Sequence, residues 1–251
     1  MKLKINEYIS LCSRNSYQLT IEASTIECLS YSTSVEPDEY LKFAEMDLLS
    51  NSDHGLINAL SNAKRAIDCQ IANIFYALGL RLPKYFPDKL EKIKALGFVA
   101  PRIITKVIRF RNLLEHEFHR PTQNEVEDAV DLAILFIEAT RRLFVGCSFV
   151  TQFWVADERF SNSEKIMAIG IEEEESFSFS EGIYVVFDSV TKRLSLSLVY
   201  QNQEIDKTTL LNSDKRLLDL FKFMANMEFS NLDSYSSVGA QKFFNIIQAG
   251  N

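Results

Sequence analysis

The stretch Ser52–Gly79, SDHGLINALSNAKRAIDCQIANIFYALG, sets the reading of the whole chain. Its apolar residues Leu56, Leu60, Ala63, Ile67, Ile71, Ile74 and Leu78 recur at intervals of three and four, which lines them along one face of an α-helix. Ser52 or Asp53 supplies the start, a short polar side chain that can accept from the first free backbone amides. Gly79 supplies the stop, because glycine takes a left-handed C-terminal turn at least steric cost.

Working outward, Glu36-Pro37-Asp38-Glu39 is a second helix start, with proline and acids in the first turn. Pro83 and Pro87 punctuate a loop, and a short helix follows through Leu90, Ile93 and Leu96 to Gly97. Pro101 opens another helix to about Phe118, broken by Pro121. Thr122-Gln123-Asn124-Glu125 is a capping box for a last helix reaching about Leu143. Four or five antiparallel helices joined by short connections predict a helical bundle over residues 36–146. Residues 1–35 are rich in Ser and Thr; Leu3 to Leu11 and Ser16 to Leu29 read as short helices in an N-terminal extension packing on the bundle.

Past Gly146 the period changes. Ser148 to Ala156, Lys165 to Ile171, Tyr184 to Phe187 and Arg193 to Tyr200 read as strands, and Asp188 to Lys192 as a hairpin turn. Asn212 or Ser213 caps a helix through Leu217, Leu218, Phe221 and Met224, and Ala240 to Ile247 suggests another. The expected fold class is α+β: an N-terminal antiparallel helical bundle, then a smaller antiparallel-sheet-plus-helix module over 147–251.

At 251 residues the chain can bury a real core, and its composition, 47% apolar and 24% charged, is that of a globular protein. The longest apolar runs, such as Leu132 to Ile137, are too short to cross a membrane. Glu7 arrives before any hydrophobic segment develops, unlike a signal peptide. Cys12, Cys28, Cys69 and Cys147 are scattered, without zinc spacing or a compact disulfide framework, so reduced thiols in a cytoplasmic protein are expected.

Net charge is −7, which argues against a general nucleic-acid coat protein. The charge is uneven, however. Between Arg102 and Arg120 five cations (Arg102, Lys106, Arg109, Arg111, Arg120) face two acids (Glu115, Glu117), a local +3 that suits a confined anion site. Two of the three histidines, His116 and His119, lie in the same segment. Histidine titrates near neutrality, which makes it the first candidate for proton transfer, and arginine holds phosphate.

A helical wheel over Ile103 to Phe118 puts Ile103, Val107, Phe110, Leu114 and Phe118 on a core face and Arg109, Asn112 and His116 on the opposite one. Arg111 falls about 140° round from His116. Either the helix loosens before Pro121, or the arginine reaches around, or the site uses a second copy of the helix. Ile108 and Leu113 flank the polar face and make the third option attractive.

Arg111-Asn112, three residues, then His116, late in a bundle helix, resembles the motif of the HEPN superfamily (higher eukaryotes and prokaryotes nucleotide-binding). The family pattern is Arg, four to six residues, His, often with a polar residue after the Arg. Many members continue His-x-Tyr, where this chain has His116-Glu117-Phe118 and no hydroxyl. Some carry an acid four residues ahead of a basic pair; Lys64-Arg65 is present here, but Leu60 holds the acidic place.

The resemblance covers roughly residues 36–146 and implies metal-independent endoribonuclease activity in a dimer whose two motifs line one cleft. RNA carries its own nucleophile, the 2′-OH, so a base, an acid and anion stabilisation suffice. His116 would act as base or acid, Arg111 would stabilise the developing charge, and Asn112 would orient either. Arg109, Lys106 and His119 would hold flanking phosphates. No cofactor or metal is called for: Glu115-His116-Glu117-Phe118-His119 lacks His-Glu-x-x-His spacing, and no phosphate loop, dinucleotide glycine pattern or Gly-x-Ser-x-Gly elbow occurs. By analogy the protein is a toxin or phage-defence effector with an antitoxin or regulatory partner. The competing reading is a non-catalytic nucleotide-binding or assembly domain, with Arg111 simply paired to Glu115 one turn on.

Overall fold

The computed structural model describes residues 4–14, 19–50, 52–99, 102–103, 105–106, 109, 120–146, 149–157, 181–227 and 237–249. The chain divides into two compact units. One is made of residues 1–27 and 148–251, and the other of residues 28–147.

The first unit is built on a five-stranded antiparallel sheet whose spatial order follows the chain. Its strands are β1 (Leu19–Glu27), β2 (Phe149–Asp157), β3 (Gly182–Asp188), β4 (Arg193–Tyr200) and β5 (Gln203–Leu210). Helix α1 (Ile5–Arg14) precedes the sheet, and α6 (Arg216–Ala225) and α7 (Ser237–Gln248) follow it. Strand alternation sends Phe149, Phe153, Ile183, Val185, Phe187, Leu194, Leu196 and Leu198 into the core. Phe221 of α6 meets Phe187 edge-on at 5.2 Å, and Phe243 of α7 meets Phe153 the same way at 5.5 Å. The opposite parity carries Trp154 stacked on Tyr184 at 4.4 Å, with Ala156 and Val199 beside them.

The turns follow from local chemistry. Asp188 accepts from the amides of Val190 and Thr191 at 2.9 and 3.0 Å and closes the β3–β4 hairpin, with Lys192 at positive φ. Gln201 and Asn202, both at positive φ, make the two-residue β4–β5 turn whose twist matches its strands.

The second unit holds α2 (Pro37–Leu49), α3 (Asp53–Ala77), α4 (Phe86–Leu96) and α5 (Gln123–Arg141). Helix α3 packs against both α2 and α5. Its Ser52 cap accepts from Gly55 N at 3.1 Å, and Gly79 follows its end at φ 64°. Thr122 and Glu125 complete the capping box of α5 in both directions. Ile67, Ile71, Ile74 and Phe75 are buried, as are Val130, Phe136 and Ile137.

The expected architecture is corrected here. The fold is α+β, but among the described residues no N-terminal helical bundle precedes a smaller sheet module: the sheet is large, its first strand comes before α2, and the helices are interspersed among the strands. Ser16 to Leu29, read as helical, holds β1, because Leu19, Ile21 and Ala23 alternate toward a sheet that β2 completes from across the chain. Strand β5 was not anticipated, and α6 starts at Arg216 instead of Asn212 or Ser213. The strand expected at Lys165 to Ile171 lies outside the described residues, as does most of the helix expected from Pro101 to Phe118. Cys28 is disulfide-bonded while Cys12 and Cys69 are free, so the expectation of reduced thiols fails at Cys28. No helix among the described residues is long and apolar enough to cross a membrane.

Candidate functional site

Arg111, Asn112, His116 and His119, the residues expected to carry chemistry, lie outside the described residues. Of the basic segment before them, Arg102, Lys106 and Arg109 are helical and exposed. Arg120 after them is held at the surface by Asp53, 3.0 Å away. The third histidine, His54, stands exposed at the start of α3, with Nε2 3.0 Å from the Asn58 amide. Two of the residues expected to hold flanking phosphates, Lys106 and Arg109, therefore face solvent, where a polyanion can reach them.

A different constellation is fully described within the helical unit. An open pocket of about 480 Å³ is lined by Thr33, Ser34, Val35, Tyr40, Arg65, Asp68 and Cys69. Helix α3 supplies Arg65, Asp68 and Cys69, so three different functional groups emerge from a single turn. The facing loop is shaped by Asn73, fully buried one turn further along. Its carbonyl oxygen accepts from Ser32 N at 2.7 Å and Ser32 Oγ at 3.0 Å, and its amide donates to Thr33 Oγ1 at 3.0 Å. A buried amide satisfied in this way fixes the loop, since breaking any of these bonds strands a polar group.

Arg65 is oriented from behind. Its Nη1 donates to Asn62 Oδ1 at 3.1 Å, and Asn62 Nδ2 donates to Asp47 Oδ2 of α2 at 2.9 Å. Cys69 is a free, half-buried thiol. Burial pushes its thiol up, and the hydrogen bonds with Thr33 and Asn73 offset this only in part. Its Sγ lies 3.3 Å from Thr33 Oγ1 and donates to Val35 O at 3.4 Å, a structural role.

The pocket is absent from the sequence reading, although a signal existed. Asn62, Arg65, Cys69 and Asn73 recur at threes and fours and form a polar stripe along a helix otherwise read for its apolar face. In the sheet unit, Tyr8 and Cys12 sit one turn apart on α1, both buried. Burial pushes the Cys12 thiol up to about 11 and raises Tyr8 as well, which keeps both protonated near neutrality. Among the described residues no group of three or more His, Cys, Asp or Glu converges as a metal site.

No protein-family model matches the chain, and no curated protein or solved structure matches it significantly.

Proposed function

We propose that this chain is a metal-independent endoribonuclease of HEPN type, with Arg111, Asn112 and His116 at the reacting phosphate. The observation that carries the reading is the cation-rich segment around them, with Arg102, Lys106 and Arg109 exposed on helical backbone in an otherwise acidic protein. The reading rests on the motif and its charge, since the bundle-first architecture is not there to support it. His116 takes the proton of the 2′-OH or returns one to the leaving 5′ oxygen, and Arg111 stabilises the charge on the phosphorane. Asn112 orients them, while Lys106, Arg109 and His119 hold flanking phosphates. On the wheel expected from the sequence Arg111 would fall about 140° from His116, and in this reading the working site draws on two copies of the chain as a homodimer. A cytoplasmic toxin or phage-defence effector, restrained by an antitoxin or regulatory protein, fits such an activity.

Cleavage of RNA in EDTA by the wild type, His116→Ala and Arg111→Ala proteins tests this directly. Each substitution is expected to lower the rate by at least about 100-fold. Equal cleavage by all three proteins, or none by the wild type, overturns the proposal. A second reading, a non-catalytic nucleotide-binding or assembly domain, is favoured by one observation: the described pocket presents Arg65 beside hydroxyls and an acid.

A further inference from the structure

We infer that the surface where α3 hands over to α4 docks single-stranded RNA, with Tyr85 and Tyr76 stacking bases and Arg81, Lys84 and Lys89 holding phosphates. The choice of RNA rests on the function proposed above; the recognition itself needs no cleavage.

Residues 81–94 carry five cations, Arg81, Lys84, Lys89, Lys92 and Lys94, against Asp88 and Glu91, a local +3 in a chain of net charge −7. Helix α2 of the same unit has the reverse balance, with Asp38, Glu39, Glu45 and Asp47 against Lys42. Charge in the helical unit is therefore sorted by element, and a cationic surface set apart in this way attracts a polyanion. Arg81, Lys84 and Lys94 are exposed and Lys89 is half-buried. Lys94 lies 3.5 Å from Glu91 with both side chains open to solvent, a pair too weak to withhold the lysine from a phosphate.

The same surface presents large rings. Tyr85 is 63% exposed at the cap position of α4, and Tyr76 is 55% exposed in the last turn of α3. Lys84 stands over the Tyr85 ring, its Nζ 5.5 Å from the ring centre, so ring and cation are offered together. Lys92 ties the two elements to each other. Its Nζ donates to Arg81 O at 3.5 Å and lies 5.8 Å from the centre of the buried Phe75 ring.

An anionic membrane is the competing partner for lysines beside tyrosines. A helix lying in a membrane surface needs a free apolar face. That of α4 is already occupied: Phe86, Leu90, Ile93 and Leu96 are buried. What remains outside is cations and rings, with Leu82 as a lone exposed aliphatic side chain among residues 81–94. Single-stranded nucleic acid matches that surface, because unpaired bases stack on exposed rings while the backbone follows the cations. A duplex keeps its bases stacked on one another and offers the rings nothing.

Fluorescence anisotropy of the full-length protein with a labelled 2′-O-methyl oligouridine reads binding without cleavage, since that probe has no free 2′-OH. The wild type is expected to bind with a log–log salt slope of roughly −2, from about three phosphates. Tyr85→Ala should weaken binding by roughly 5- to 100-fold, and Tyr85→Phe should bind as the wild type does, because stacking uses the ring. Tyr85 makes no side-chain hydrogen bond to the end of α4, so its removal leaves the helix start intact. Arg81→Gln combined with Lys84→Gln should flatten the slope to roughly −0.7. No binding by the wild type, or equal binding by Tyr85→Ala, overturns the inference. So does a double-stranded RNA that competes as well as the single strand, or attachment to phosphatidylserine vesicles in place of the oligonucleotide. Tyr85-dependent binding without any cutting of RNA refutes the nuclease alone; cutting with no effect of Tyr85→Ala on binding refutes this surface alone.

Discussion

Gln70 and Thr140 show how unequal the two halves of one hydrogen bond can be. Both are fully buried, and Gln70 Nε2 donates to Thr140 Oγ1 at 2.7 Å. The threonine hydroxyl keeps other partners, with the carbonyl oxygens of Phe136 and Ile137 at 3.0 and 3.1 Å. Gln70 Oε1 has none. Thr140→Val therefore strands the glutamine amide as well as its already unpaired oxygen, at a cost of about 1–3 kcal/mol. Gln70→Leu removes the unpaired oxygen and leaves Thr140 satisfied by its own helix, so it should cost less than Thr140→Val. Urea titration of both variants checks the order; a larger loss for Gln70→Leu would refute this account. Residues of this kind were not legible in the sequence, because Gln70 meets Thr140 from 70 positions away. The caps were legible: Ser52 and the Thr122–Glu125 pair act within three residues of themselves.

At the level of elements, the α2–α3 corner depends on an absent side chain. A Cβ at Gly55 would stand 1.8 Å from Ser50 Oγ and 2.4 Å from the backbone oxygen of Asp47. Ser50 could swing away, but the Asp47 carbonyl belongs to the last turns of α2 and moves only with the helix. Alanine there gains up to about 1 kcal/mol of helix propensity. Crowding of this kind costs about 1–3 kcal/mol. Gly55→Ala should therefore lower stability on balance, with the midpoint of chemical denaturation as the readout; an unchanged or raised midpoint means the corner relaxes freely. The elements divide by the same logic of local against distant information. Helix α3 was legible because its apolar period and both its ends lie within its own sequence. Strand β5 was not: as the outer strand beside β4 it exposes most of its side chains, so Gln203–Leu210 lacks an apolar alternation to read. Strand β1 carried a signal, Leu19, Ile21 and Ala23 at alternate positions. The Ser and Thr around them blur that alternation toward a weak helical period, although β-branched Thr and Ile favour strands.

For the whole molecule, the decisive feature is that β1 and β2 are neighbours in the sheet and far apart in the chain, with the entire helical unit between them. Local periodicity cannot reveal such pairing, which is why the sequence suggested two modules in series where the structure inserts one into the other. The insertion carries its own consequence. Glu27 and Phe149 sit opposite each other at the ladder's end, so the gap left by removing residues 28–147 needs only a hairpin turn. The buried phenylalanines of the sheet unit, Phe149, Phe153, Phe187, Phe221 and Phe243, all belong to the remaining residues. Joining Glu27 to Ser148 through Asn-Gly should therefore give a protein that keeps the sheet, pairs β1 with β2 as a local hairpin, and folds faster because its contacts have become less distant in sequence. Far-ultraviolet circular dichroism with a cooperative thermal transition is the expected result. A chain that stays unfolded or aggregates on refolding would show that the sheet unit needs the helical one to hold its first strand, and that the insertion is structural rather than an appended device.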